Sequence, residues 1–219
     1  TQTLREKTGS IVQFGILKGY RYGPSHWAEG AGRACLLGTY EPQVCALIDR
    51  LKSPEKVLID IGAADGLYGV GLVAVGAFGQ SVCFEAHDGR RQKLQELGDE
   101  LGLGDRIAVH GVATAAAIRA VVEDHAIDLR NAVIISDIEG GEFDLFDTDL
   151  LESLSDSHLI IETHDFLVKP VERAATAMQD LKDRAGRFFN VHDVKDGLRY
   201  MRDIPLLADW SDADTWMMC

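Results

Sequence analysis

The stretch Val57 to Gly66, reading Val-Leu-Ile-Asp-Ile-Gly-Ala-Ala-Asp-Gly, constrains this chain more than any other. Val57 to Ile61 is a short apolar run, β-branched at three of its five positions, that stops in a glycine turn. An apolar run of that length bounded by glycine predicts a strand buried on both faces, as parallel sheets require. Gly62 and Gly66 bracket a tight loop, and the apolar stretch Leu67 to Phe78 predicts a helix packed on the sheet. Such a unit offers backbone N–H groups and a helix N-terminus at the strand's carboxyl end, a mouth suited to an anionic ligand group. Asp60 sits at that mouth, where its carboxylate is expected to hold a cationic group of the same ligand.

The glycine spacing narrows the ligand. A dinucleotide site calls for G-x-G-x-x-G after its first strand, and Gly62-Ala63-Ala64-Asp65-Gly66 is one glycine short. Glu85 closes the next predicted strand, Ser81 to Ala86. That is about the separation at which an acid meets a ribose hydroxyl pair. The expected ligand therefore carries a ribose but no pyrophosphate. Ile59-Asp60-Ile61-Gly62-Ala63-Ala64-Asp65-Gly66 followed by Cys83-Phe84-Glu85-Ala86 resembles the first two motifs of class I S-adenosylmethionine-dependent methyltransferases. The resemblance implies S-adenosylmethionine as cofactor, with contacts at Asp60, Gly62, Ala63, Gly66, Glu85 and Ala86.

Around this unit the chain alternates. Thr39-Tyr40-Glu41-Pro42 opens a predicted helix with Val44, Leu47, Ile48 and Leu51 on one stripe. Helices are also predicted over Arg90 to Leu101, Thr114 to Val122 (with Thr114 as cap), Glu142 to Leu150 and Pro170 to Ala185. Further strands are predicted over Arg106 to His110, Asn131 to Ile138 and His158 to Thr163. Phe188 to Val194 and Leu198 to Ile204 flank Lys195-Asp196-Gly197, a hairpin signal. The expected fold is α/β and Rossmann-like: a mostly parallel sheet with a C-terminal antiparallel hairpin and helices on both faces. One domain is expected over 1–219, with 1–55 as an N-terminal cap or lid segment and helix and 56–205 as the catalytic core. Phe14 to Gly38, aromatic, glycine-rich and aperiodic, is expected to cover the site.

Three predicted strands deliver acids or histidines to the sheet's carboxyl edge, where ligands of open α/β sheets bind. They end in Ser136-Asp137-Ile138-Glu139-Gly140-Gly141-Glu142, in Ile161-Glu162-Thr163-His164-Asp165, and at His192-Asp193. Together with Gly38-Thr39-Tyr40-Glu41 and the glycine loop, the D-x-E-G-x-E and E-x-H elements are similar to FkbM-type methyltransferases, from about Gly38 to His192. The resemblance implies methyl transfer to a hydroxyl of a small molecule such as a sugar, lipid or natural-product scaffold, and adds Glu41 and Asp137 to the cofactor contacts. A hydroxyl acceptor must lose its proton, to a base or under the pull of a metal. His164 is the preferred base, with His192 second and Asp137 beside cofactor or acceptor. Asp137, Glu162 and His164 form the alternative, a site for Mg²⁺ or Mn²⁺. Glu139 and Glu142 are read as acids offsetting a helix dipole.

Composition sets outer limits. A net charge of −13 argues against a nucleic-acid partner. The scattered Cys35, Cys45, Cys83 and Cys219 form no C-x-x-C pair, so reduced thiols in a cytoplasmic protein are expected. The apolar run near Val70 to Phe78 falls short of the roughly 20 residues of a membrane span, and no signal peptide is recognised. A homo-oligomer remains compatible with the sequence. A nicotinamide-dependent oxidoreductase and a non-catalytic cofactor-binding protein are the competing readings.

Overall fold

The computed structural model describes residues 2–23 and 31–194. Two compact units are present: one lies within Thr1–Arg50 and the other is Leu51–Asp193. The first holds α1 (Gln2–Thr8), α2 (Ala31–Leu37) and most of α3 (Pro42–Leu51), whose first residue is the expected proline. Leu4, Val12, Leu17, Tyr20, Tyr22, Leu36 and Leu37 are buried. Val12 N–H donates to Tyr20 O at 2.8 Å and Gly19 N–H to Val12 O at 2.9 Å, closing a local turn. The stretch from Phe14 is thus partly a folded element, where the sequence predicted only an aperiodic cover.

The second unit is organised on five parallel strands: β1 (Ser53–Ile61), β2 (Phe78–Phe84), β3 (Ile107–His110), β4 (Ala132–Ser136) and β5 (His158–Ile161). Their order is β3-β2-β1-β4-β5, with β1 central as its apolar run predicts. Every pairing is parallel, and Asp60 stands between Cys83 on β2 and Ile135 on β4. The intervening helices are α4 (Gly71–Ala74), α5 (Asp88–Glu100), α6 (Ala115–Asp124), α7 (Glu142–Leu145), α8 (Thr148–Ser153) and α9 (Val171–Ala185). Val57, Ile59 and Ile61 share a core with Ile118, Val121, Phe146, Leu150, Leu151 and Leu181, from α6 to α9. Side chains alternate across a strand, so Leu58 and Asp60 face the other way, where Asp60 meets Gly69 just before α4. The first five strands of the Rossmann order 3-2-1-4-5-6 are reproduced.

Two predicted helices come out differently. Leu67–Phe78 is helical only over Gly71–Ala74. Gly66, Gly69, Gly71 and Gly76 dilute helix propensity by about 1 kcal/mol each, and a Cβ on Gly69 would lie 2.3 Å from Cys83 Sγ. The predicted Glu142–Leu150 helix divides at Asp147, whose carboxylate accepts from Leu150 N–H at 2.7 Å and starts α8. Thr114 caps α6 as expected, accepting from Ala117 N–H at 3.1 Å.

The C-terminal hairpin is the part of the fold that the structure does not reproduce. Phe188–Val194 is turn and irregular chain, because Phe188 and Phe189 N–H both donate back to Ala185 O at 3.0 and 2.9 Å. Leu198–Ile204, Trp27, Trp210 and Trp216 lie outside the described residues.

Candidate functional site

The glycine loop and the acid-rich loops converge because β1, β4 and β5 are neighbours and end at one edge. Asp137 N–H donates to Ile61 O and Glu162 N–H to Ser136 O, both at 2.9 Å, so the three strand ends stay in step past the sheet. Gly62 has φ +95°, and a Cβ there would stand 1.9 Å from Asp137 O. Only glycine fits both the left-handed backbone and that approach. Asp137 therefore joins the loop after β1 to the loop after β4.

The loop's donors are occupied from within. Gly62 and Ala63 N–H both donate to Phe84 O at 2.9 Å, and Gly66 N–H donates to Ala63 O at 2.8 Å. Ala64 N–H donates to Glu85 Oε2 at 3.0 Å. The free anion cradle expected of this loop is therefore not formed by these N–H groups, and α4 is too short to supply a helix N-terminus. Asp60 is buried, and its Oδ2 accepts from Gly69 N–H at 2.7 Å, so this carboxylate braces the chain before α4. Burial, and then the Asp60 charge, push the neighbouring Cys83 thiol far up, which keeps it protonated.

Glu85 stands just past β2, almost wholly buried. Its Oε1 accepts from His87 N–H at 2.8 Å, and Arg90 is 3.9 Å away. A carboxylate has about four lone-pair sites, so two remain beyond the two N–H bonds for ligand hydroxyls. Ala86 is exposed beside it. Gly66 serves packing, since a Cβ would meet Leu94 Cδ2 at 2.8 Å. Glu41, with φ 40°, precedes α3 in the first unit.

The second constellation is His164 among four carboxylates. Its Nδ1 lies 3.1 Å from Glu142 Oε1. Its Nε2 lies 3.8 Å from Asp137 Oδ1, 3.7 Å from Glu139 Oε2 and 3.9 Å from Glu162 Oε1. The imidazole is 12% exposed and Glu142 is fully buried. Glu142 Oε1 also accepts from Ile138 N–H at 3.2 Å, while its Oε2 has no hydrogen-bond partner among the described residues. Burial pulls the His164 pKa down. The hydrogen bond to Glu142 and the charges of Asp137, Glu142 and Glu139 push it up and prevail. Phe166, mostly exposed, packs edge-on against the His164 ring at 5.7 Å.

Asp137, Glu162 and His164 are thus brought together as the sequence predicted. His192 is exposed on the irregular chain after α9 and makes no described bond to this cluster. Glu139 and Glu142 were missed as site residues. Glu142 does open α7 as expected, but the D-x-E-G-G-E loop, with φ 55° at Glu139 and φ 95° at Gly140, also brings Glu139 and Glu142 to His164. Asp137, Glu139 and His164 each offer a ligand atom, all within 4.8 Å of one another.

The fold is α/β and Rossmann-like, with Glu85 just past β2 and the His164 cluster after β4 and β5. Solved structures similar to this chain include methyltransferases. One is the C-terminal domain of precorrin-6Y C5,15-methyltransferase from Rhodobacter capsulatus, with TM-score 0.44, 20% identity and coverage of 71% of this chain and 78% of that one. Another is the m1A22 tRNA methyltransferase TrmK of B. subtilis, with TM-score 0.41, 15% identity and coverage of 64% and 53%. A Listeria monocytogenes protein of uncharacterized function has TM-score 0.45, 19% identity and coverage of 77% and 76%. The match spans about half the length of the B. subtilis enzyme. No protein-family model and no curated protein sequence matches significantly, so the FkbM resemblance rests on its motifs.

The presence of tRNA methyltransferases among the similar structures overturns the expectation that nucleic acid is excluded as a partner. A net charge of −13 is a sum over the chain and does not describe the surface around one site. Among the described residues no helix is long and apolar enough to cross a membrane.

Proposed function

We propose that this chain transfers a methyl group from S-adenosylmethionine to a hydroxyl oxygen. The observation that carries the reading is the state of the loop after β1. Its N–H groups at Gly62, Ala63, Ala64 and Gly66 are spent on Phe84, Glu85 and Ala63, which leaves those donors unable to cradle a pyrophosphate. The adjoining Glu85 carboxylate keeps acceptor capacity for a ribose. A ribose-bearing cofactor without phosphates meets both conditions, and a nicotinamide dinucleotide does not. Ala63 and Ala86 flank Glu85 in this reading.

The reaction divides between the two loops. In-line displacement breaks the sulfur–methyl bond as the oxygen–methyl bond forms, so holding the two centres in line supplies much of the rate. In this reading Asp137, where the loops after β1 and β4 meet, orients donor and acceptor. The hydroxyl proton leaves to the His164–carboxylate cluster, and S-adenosylhomocysteine departs neutral at sulfur.

The test is incubation of the protein with methyl-labelled S-adenosylmethionine and a cell extract, followed by separation into RNA, protein and small molecules. Label in an alkali-stable methyl ether on a small molecule supports O-methylation. Label on a nucleobase, lost from the RNA fraction on ribonuclease treatment, refutes it while keeping the cofactor.

A further inference from the structure

We infer that Asp137, Glu139 and His164 are the ligands of a divalent cation at the acceptor side of the cofactor, with Glu142 as the group that orients the histidine. This rests on the methyl-transfer reading only for the role of the cation, not for its binding. Carboxylate oxygens from Asp137, Glu139 and Glu162 surround His164 Nε2 at 3.7–3.9 Å. Those separations are too long for hydrogen bonds, and they leave room for a small ion between the donors. Asp137, Glu139 and His164 present their ligand atoms within 4.8 Å of one another, a spacing that one small ion can bridge.

Glu142 supplies an independent observation. It is fully buried, its Oε2 has no hydrogen-bond partner among the described residues, and its Oε1 is held by Ile138 N–H and His164 Nδ1. A buried carboxylate at Nδ1 fixes that nitrogen as the donor, and so turns the Nε2 lone pair toward the acids. Carboxylate–histidine–metal triads are built in this way. One imidazole and two carboxylates with open positions favour Mn²⁺ over a fully oxygen-coordinated Mg²⁺. An acceptor hydroxyl entering an open position would lose its proton more readily, because a bound cation lowers the pKa of its oxygen ligands. Glu162, at 3.9 Å from Nε2, stands nearby to take that proton.

The experiment is Mn²⁺ titration of the full chain followed by electron paramagnetic resonance, with S-adenosylmethionine calorimetry on the same sample. One Mn²⁺ per chain is expected, with nitrogen modulation in its spin-echo spectrum from His164. Glu139→Gln, at a carboxylate 61% exposed, should weaken Mn²⁺ about tenfold or more. Glu100→Gln on α5 should change nothing, and His164→Gln should remove the nitrogen modulation. Absence of stoichiometric Mn²⁺ below about 1 mM, the weakest range for dedicated sites, would overturn the inference, as would equal binding by Glu139→Gln and the parent. Cofactor binding without Mn²⁺ sinks the cation alone, and Mn²⁺ binding without the cofactor sinks the methyl-transfer reading alone.

Discussion

Replacing Glu85 by alanine separates two roles that the structure gives to one carboxylate. In the free protein Glu85 accepts from Ala64 N–H at 3.0 Å and His87 N–H at 2.8 Å. Hydrogen bonds to a charged group contribute roughly 1.5–3 kcal/mol each. Both N–H groups lie in loops where water partly replaces the lost acceptor, so the low end applies to each. The sum is a stability loss of about 3 kcal/mol, read as a lower urea midpoint at unchanged slope. The second role is ligand-dependent. Loss of the ribose acceptor should weaken S-adenosylmethionine binding by about 1.5–3 kcal/mol, or roughly 10- to 150-fold. Glu85→Gln sharpens the comparison, because its amide retains one acceptor oxygen but sets an N–H₂ donor against the second N–H. It should fall between parent and alanine in both measurements. Calorimetry must be run below the variant's unfolding midpoint, so that affinity is not confused with loss of fold. A Glu85→Ala protein that binds S-adenosylmethionine within threefold of the parent would refute the ribose role, whatever its stability.

Gly62→Ala puts a Cβ 1.9 Å from Asp137 O on a left-handed backbone. It should cost at least ~1–2 kcal/mol in backbone conformation alone, and turnover should fall with it as Asp137 is displaced; activity and stability equal to the parent's would show that the two loops do not depend on each other. Asp147→Ala removes the α8 cap and should lower stability by about 1 kcal/mol without changing cofactor affinity, a split checked by urea titration and calorimetry. His110 Nε2 has no hydrogen-bond partner among the described residues, and burial, then the His125 charge, lower the pKa of His110. The unfolded chain therefore binds the extra proton first, so this contribution is complete above the usual pKa near 6.5 and is lost as pH falls from there toward the folded value. His110→Gln should flatten that part of the stability profile, and an unchanged slope in urea midpoints between the two proteins would contradict the assignment.

The strand framework was legible in the sequence because period and punctuation agree there. Val57–Ile61 and Val133–Ile135 are apolar runs that read as buried on both faces, and each lies in an interior strand of the sheet. The meeting of Asp137, Glu162 and His164 followed from strand adjacency, since parallel neighbours end at one edge. What escaped is set by contacts between elements that are distant in sequence. Asp60 Oδ2 accepts from Gly69 N–H because Asp60 sits on the face of β1 that meets the chain before α4. The free N–H groups expected after β1 are consumed by Phe84 O at the end of the next strand and by Glu85 just past it. Glu142 opens α7 as read, but its contact with His164, and that of Glu139, depend on a loop with positive φ at Glu139 and Gly140. The C-terminal hairpin failed at its first strand, where the carbonyl of Ala185 captures the amides of Phe188 and Phe189.

The most direct test of the central claim is calorimetric titration of the unmodified chain with S-adenosylmethionine and, separately, with NAD. A loop whose donors are spent internally beside an acid with spare acceptor capacity predicts stoichiometric S-adenosylmethionine binding and no measurable NAD binding. Tight NAD binding with no heat from S-adenosylmethionine would contradict the account at its base.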